Sequence, residues 1–138
     1  MPEIPASHRD LLETTPIVIL ATNGPGDFPQ VTATWFLVED GTIKISLNTS
    51  RQKTKNLQRD PNATLFFVDP NDPYRTLEIR ARATVEPDRD HAFADRFGAK
   101  YGADLRAMDR PGEERVVVSF APVRINTYGE GPASSAVG

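Results

Sequence analysis

The run Ser50-Arg51-Gln52-Lys53-Thr54-Lys55-Asn56-Leu57 places three cations where a helix would open after a strand. At such a junction the first-turn amides have no intrahelical partner, and the hydroxyls of Thr49 and Ser50 converge on the same spot. An anion is the natural occupant. Arg51 offers a bidentate fork to a phosphate, Lys53 a mobile point charge, and Lys55 follows two residues later. Taken alone, a charge run more often faces water, so a solvated helix face stands beside phosphate binding as a reading. Other chemistry has little to work with. His8 and His91 lie far apart without partners in a metal motif. No cysteine is present, which removes disulfides, thiolate nucleophiles and iron–sulfur clusters. Neither a G-x-G-x-x-G nor a Walker glycine pattern occurs.

The elements that must position this segment read as mainly β. Ser7 to Thr15 gives a two-turn helix ending before Pro16, with Ser7 and Asp10 as a loose capping pair. Ile17-Val18-Ile19-Leu20-Ala21-Thr22 is a buried strand bounded by the turn cluster Asn23 to Asp27. Gln30 to Val38 alternates as a second strand, Asp40-Gly41 makes a tight turn, and Ile43, Ile45 and Leu47 mark a third, so the three form a meander. The basic helix over Thr49 to Asp60 is stopped by Pro61. Ala63 to Val68 is a strand, Asp69 to Pro73 a loop, and Leu77 to Val85 a long alternating strand. Phe93, Phe97 and Tyr101 recur every four residues, on one side of a helix capped by Asp88 or Asp90. Arg115 to Ser119 begins the last strand, which continues through Ile125. The expectation is a six-stranded antiparallel barrel plus short helices, one domain over residues 1–138 with a flexible tail at 129–138.

Composition supports an ordinary globular chain: 138 residues, 25% charged and 38% hydrophobic. A net charge of −3 argues against wrapping nucleic acid. The longest apolar run, Ile17 to Ala21, is far below the roughly 20 residues a bilayer crossing needs, and the N-terminus lacks the pattern of a signal peptide. A cytoplasmic protein without membrane insertion is expected.

The basic segment also has company. Val31-Thr32-Ala33-Thr34-Trp35-Phe36, Asp40-Gly41-Thr42, Arg51 through Pro61, Asp69 through Arg80, and Val123-Arg124-Ile125 before Tyr128-Gly129 together resemble the pyridoxamine-phosphate-oxidase-like flavin-binding split barrels. The nearest resemblance is to the actinobacterial branch that uses the deazaflavin coenzyme F420, and it spans about residues 8 to 129. It implies a split β-barrel of the FMN-binding type, a homodimer with the coenzyme between protomers, and hydride transfer to a small organic acceptor such as a quinone or activated alkene. Flavin mononucleotide (FMN), or a protein that binds coenzyme without turning it over, are the alternatives. Carried over by position, Arg51 and Lys53 hold the phosphate with Ser50, Gln52 and Lys55 alongside, while Thr32, Thr34, Trp35, Ser46 and Asn48 flank the ring. No catalytic side chain is implied. The C-terminal Arg and His that bind substrate in true pyridoxamine phosphate oxidases have no counterpart, which sets vitamin B6 oxidation aside. Trp35 is read either as a ring platform or, in preference, as core or interface packing.

Overall fold

The computed structural model describes residues 2–130, so most of the expected tail, residues 131–138, lies outside the described residues. Strands β1 (Val18–Asn23), β2 (Pro29–Thr34), β3 (Leu37–Glu39), β4 (Thr42–Asn48), β5 (Asn62–Asp69), β6 (Asp72–Pro87) and β7 (Arg115–Tyr128) form one antiparallel sheet. Its order is β2-β1-β5-β6-β7-β4-β3. The two edges, β2 and β3, are separated in the chain only by Trp35 and Phe36. Three Cα steps reach about 10 Å, so the edges must come together there and the sheet curls into a half-barrel.

There are thus seven strands rather than six, because the expected strand from Gln30 to Val38 breaks at Trp35-Phe36. The residue alternation continues through the break, but the backbone does not continue its ladder. The Phe36 N–H donates to the Tyr101 hydroxyl at 3.1 Å, and its carbonyl accepts from Lys100 Nζ at 2.7 Å. Side chains have taken the bonds a neighbouring strand would have made. Both pairings of the expected meander are present but the break divides them: β2 pairs with β1 and β3 with β4, at opposite ends of the sheet order. The Asp40-Gly41 turn stands, with φ of 51° and 78° at its two central residues. The expected loop from Asp69 to Pro73 shrinks to Pro70-Asn71, with the Asp69 and Asp72 carboxylates accepting from the amides of Asn71 and Tyr74.

The barrel interior is filled by alternate residues of each strand. Leu20 lies opposite Leu65, which lies opposite Ile79, and Ile45 lies opposite Val118, all buried. Helix α1 (Leu11–Thr14) packs on β5 through buried Leu11. Its expected Ser7/Asp10 cap is absent, because the Asp10 carboxylate instead grips Arg75, a stronger charge-assisted bond. Helix α2 (Gln52–Arg59) is docked on β1 and β2 by buried Asn56, whose Nδ2 donates to Thr22 Oγ1 at 3.0 Å and Gln30 Oε1 at 3.1 Å. Helix α3 (Ala92–Tyr101) packs on β4 and β7. Its start is held by Asp88, whose carboxylate accepts from the amides of Phe93 and Ala94, so Asp88 is the cap and not Asp90.

Candidate functional site

Where β2 ends, β4 ends and α2 begins, a cavity of about 370 Å³ opens. Thr34, Trp35, Ser46, Asn48, Arg51 and Lys53 all line it, so residues separated in sequence meet in one place. Phe97 of α3 and Leu105 and Met108 of the segment after it close an apolar side. Trp35 stacks on Tyr101 with ring centroids 4.3 Å apart and planes 5° apart. The indole is therefore packed, which is the preferred sequence reading, and it also walls the cavity.

The remaining predicted residues surround this group without lining it. The Thr32 hydroxyl accepts from Lys53 Nζ at 3.3 Å, steering the ammonium. Ser50 gives both its amide and its hydroxyl to Asn48 Oδ1, at 3.1 and 2.6 Å, tying the start of the basic segment to the end of β4. Gln52 Nε2 donates to Asn56 at 2.8 Å, and Lys55 is exposed. The Thr49 hydroxyl, expected beside the anion, instead accepts from the Glu114 amide at 3.2 Å.

Charge accounting singles out the mouth of the cavity. Among the described residues neither Arg51 nor Lys53 has a carboxylate partner, whereas Arg75, Arg96, Arg106 and Arg115 all do. Among the described residues no side chain caps the first turn of α2, and the amides of Gln52 and Lys53 have no acceptor there. Burial, and then the neighbouring charge of Arg51, hold the Lys53 ammonium below the ordinary lysine range. Two uncompensated cations and two free amides at a helix start form a cradle that a phosphate fits. Because an anion binds the protonated ammonium, affinity for phosphate is expected to be greatest where Lys53 is fully protonated. It should fall as pH rises through the depressed Lys53 value, at lower pH than for an exposed lysine. A phosphate titration repeated at stepped pH, with Lys53→Arg as a control that keeps its charge, reads this directly.

Arg115 also lines the cavity, and sequence reasoning missed it. Its Nε donates to Asp109 Oδ2 at 2.9 Å and its Nη2 lies 2.8 Å from Oδ1, with both side chains 8% exposed. Asn48 Nδ2 donates to the same carboxylate at 3.2 Å. Asp109 belongs to an Asp-Arg-Pro-Gly turn and Arg115 to a strand start, 6 residues apart, and neither carries a local mark of pairing.

A family model described as pyridoxamine 5'-phosphate oxidase matches residues 4–129. The chain belongs to the pyridoxamine 5'-phosphate oxidase family. Within the fold of that family, a solved structure described as an F420 reductase is 30% identical, covering 89% of this chain and 98% of its own, with a TM-score of 0.76. A protein related to general stress protein 26 from Clostridium acetobutylicum is 25% identical over 86% of this chain and 83% of that one, with a TM-score of 0.66. General stress protein 26 from Bacillus anthracis, 18% identical with 88% and 91% covered and a TM-score of 0.67, shares the fold. No curated protein matches the chain by sequence. No helix among the described residues is long and apolar enough to cross a membrane.

Proposed function

We propose that this member of the pyridoxamine 5'-phosphate oxidase family is an F420-dependent reductase, acting as a homodimer in the cytoplasm. The observation that carries the reading is the pair Arg51 and Lys53, unpaired by any carboxylate among the described residues, at the mouth of a cavity whose far side is aromatic and apolar. A coenzyme with a phosphate tail and a planar ring matches both ends. The resemblance to the protein described as an F420 reductase favours the deazaflavin. When bound, reduced F420 supplies the hydride. The chain's own share is positional. Arg51, Lys53 and the free amides hold the phosphate, Trp35 braced by Tyr101 walls the ring end, and Phe97, Leu105 and Met108 give that end an apolar side. Reduced F420 mixed with a quinone or an activated alkene is expected to be consumed catalytically. Stoichiometric binding without turnover would instead make the protein a coenzyme carrier.

Dimerisation is supported by the outer face of the sheet. Ala33 lies opposite Ile19 and Ile19 opposite Phe66, while Val31 lies opposite Ala21, giving an apolar patch across β2, β1 and β5. Val31 is 60% exposed and Val68 37%. A second copy laid against this patch would cover it and bring the β2 edge of each protomer close to the other. Val31→Asp is expected to convert the species in solution from two chains to one, as read by light scattering, and to weaken coenzyme binding with it.

FMN is the second reading, because the same phosphate cradle suits it. A protein that is yellow as purified, and whose melting point rises with added FMN and not with F420, would favour it.

A further inference from the structure

We propose that a second cavity, beyond the Trp35-Phe36 break from the first, binds an amphipathic monocarboxylate whose head group is taken by Lys100. The inference does not depend on the coenzyme reading.

The first argument is shape. This cavity holds about 810 Å³, against about 370 Å³ for the coenzyme site, and the two share no lining residue. It opens where the N-terminal segment and α1 approach β3, the Asp40-Gly41 turn and the middle of β7. Ile4, Leu12, Leu37 and Val38 pack on the core yet are only partly buried, so each keeps apolar surface on this space. A volume and lining of this kind suit a small organic ligand with an apolar body.

The second argument is an ammonium without a counter-charge. Lys100 Nζ donates to the Phe36 carbonyl at 2.7 Å and lies 3.9 Å from the centroid of the buried Phe36 ring. Although Lys100 as a residue is exposed, its charged end is thus held against the core at the cavity wall. An ammonium has three N–H donors, and among the described residues the Phe36 carbonyl is its one acceptor and no carboxylate pairs with it. Burial holds it below the ordinary lysine range, as expected of a cation that has lost water without gaining an anion. A carboxylate would supply both the missing acceptor and the missing charge.

The third argument is selection. Glu3, Arg9 and Glu13 also line the cavity, all three exposed, and Arg9 gives one donor to the Ile4 carbonyl at 3.0 Å. Two carboxylates on the wall repel a second negative charge on the ligand, which disfavours a phosphate or a dicarboxylate. A single carboxylate on an apolar chain satisfies Lys100 at one end and the Ile4, Leu12, Leu37 and Val38 wall along its length.

Octanoate, with octanol as its uncharged counterpart, tests this by calorimetric titration of the whole chain. Octanoate is expected to bind about tenfold more tightly than octanol, the lower end of what one charge-assisted hydrogen bond gives, because Lys100 keeps contact with solvent. Lys100→Met should remove that preference and Lys100→Arg should keep it. Ala121→Glu, at an exposed position on the cavity wall, adds a carboxylate without disturbing the Phe36 contact and should also weaken octanoate, which keeps the test alive if Lys100→Met does not fold. Arg51→Ala/Lys53→Ala should bind octanoate like the parent. A parent that binds no octanoate, or binds octanol equally well, would overturn the inference, as would undiminished octanoate binding by Lys100→Met or Ala121→Glu. A loss in Arg51→Ala/Lys53→Ala as large as that in Lys100→Met would place octanoate in the first cavity and overturn it too.

Discussion

Arg51→Ala combined with Lys53→Ala is expected to weaken coenzyme binding by about 3–5 kcal/mol, since each charge-assisted contact is worth about 1.5–3 kcal/mol. The apo-protein should lose almost nothing. Arg51 is exposed and bonded to no carboxylate among the described residues, and burial already disfavours the charge on Lys53. A change confined to binding is what separates a ligand cradle from a structural ion pair. Fluorescence titration of the parent and double variant, with thermal melting of both apo-proteins, measures the two quantities independently. Equal binding by parent and double variant would remove the phosphate assignment.

Arg75→Ala should do the reverse, costing stability and leaving the cavity residues in place. Arg75 is 3% exposed and ties three segments together: its Nη1 donates to Asp69 at 2.7 Å, its Nη2 to the Ser7 carbonyl at 2.8 Å, and both nitrogens reach Asp10. Removing one partner of a buried ion pair costs about 3–5 kcal/mol, because the remaining charges lose their compensation. Asp10 is partly solvated, which puts the expectation at the lower end of that range. Urea denaturation should show the midpoint falling with an unchanged slope. Arg75→Ala with Asp10→Asn and Asp69→Asn should recover part of the loss, because the stranded charges are then gone.

The contrast between these residues also explains what the sequence could reveal. Local patterns were legible: β-branched alternation in β1 and β4, the four-residue aromatic spacing of α3, and the Asp40-Gly41 turn all report on neighbours close in the chain. The basic segment was legible as a motif, and four of its predicted partners, Thr34, Trp35, Ser46 and Asn48, do meet Arg51 and Lys53 in the cavity. The break at Trp35-Phe36 was not. It depends on Tyr101 and Lys100, more than 60 residues away, bonding to the Phe36 backbone, and nothing in the alternation from Val31 to Val38 registers that. The Arg115–Asp109 pair was missed for a related reason. A charged residue at a strand start and another in a turn look like solvated positions until Asn48 and Ser46 are brought beneath them by β4. Asp10 shows the same limit from the other side. Its spacing from Ser7 suggested a cap, and a distant buried guanidinium outcompeted that local bond.

The central claim is electrostatic, and thermal melting in graded concentrations of F420 tests it most directly. For the parent chain the melting point should climb steadily with the logarithm of F420 concentration above the dissociation constant, and for Arg51→Ala/Lys53→Ala it should stay flat over the same range. A parent melting point that F420 does not move, or a double variant that follows the parent curve, would contradict the account.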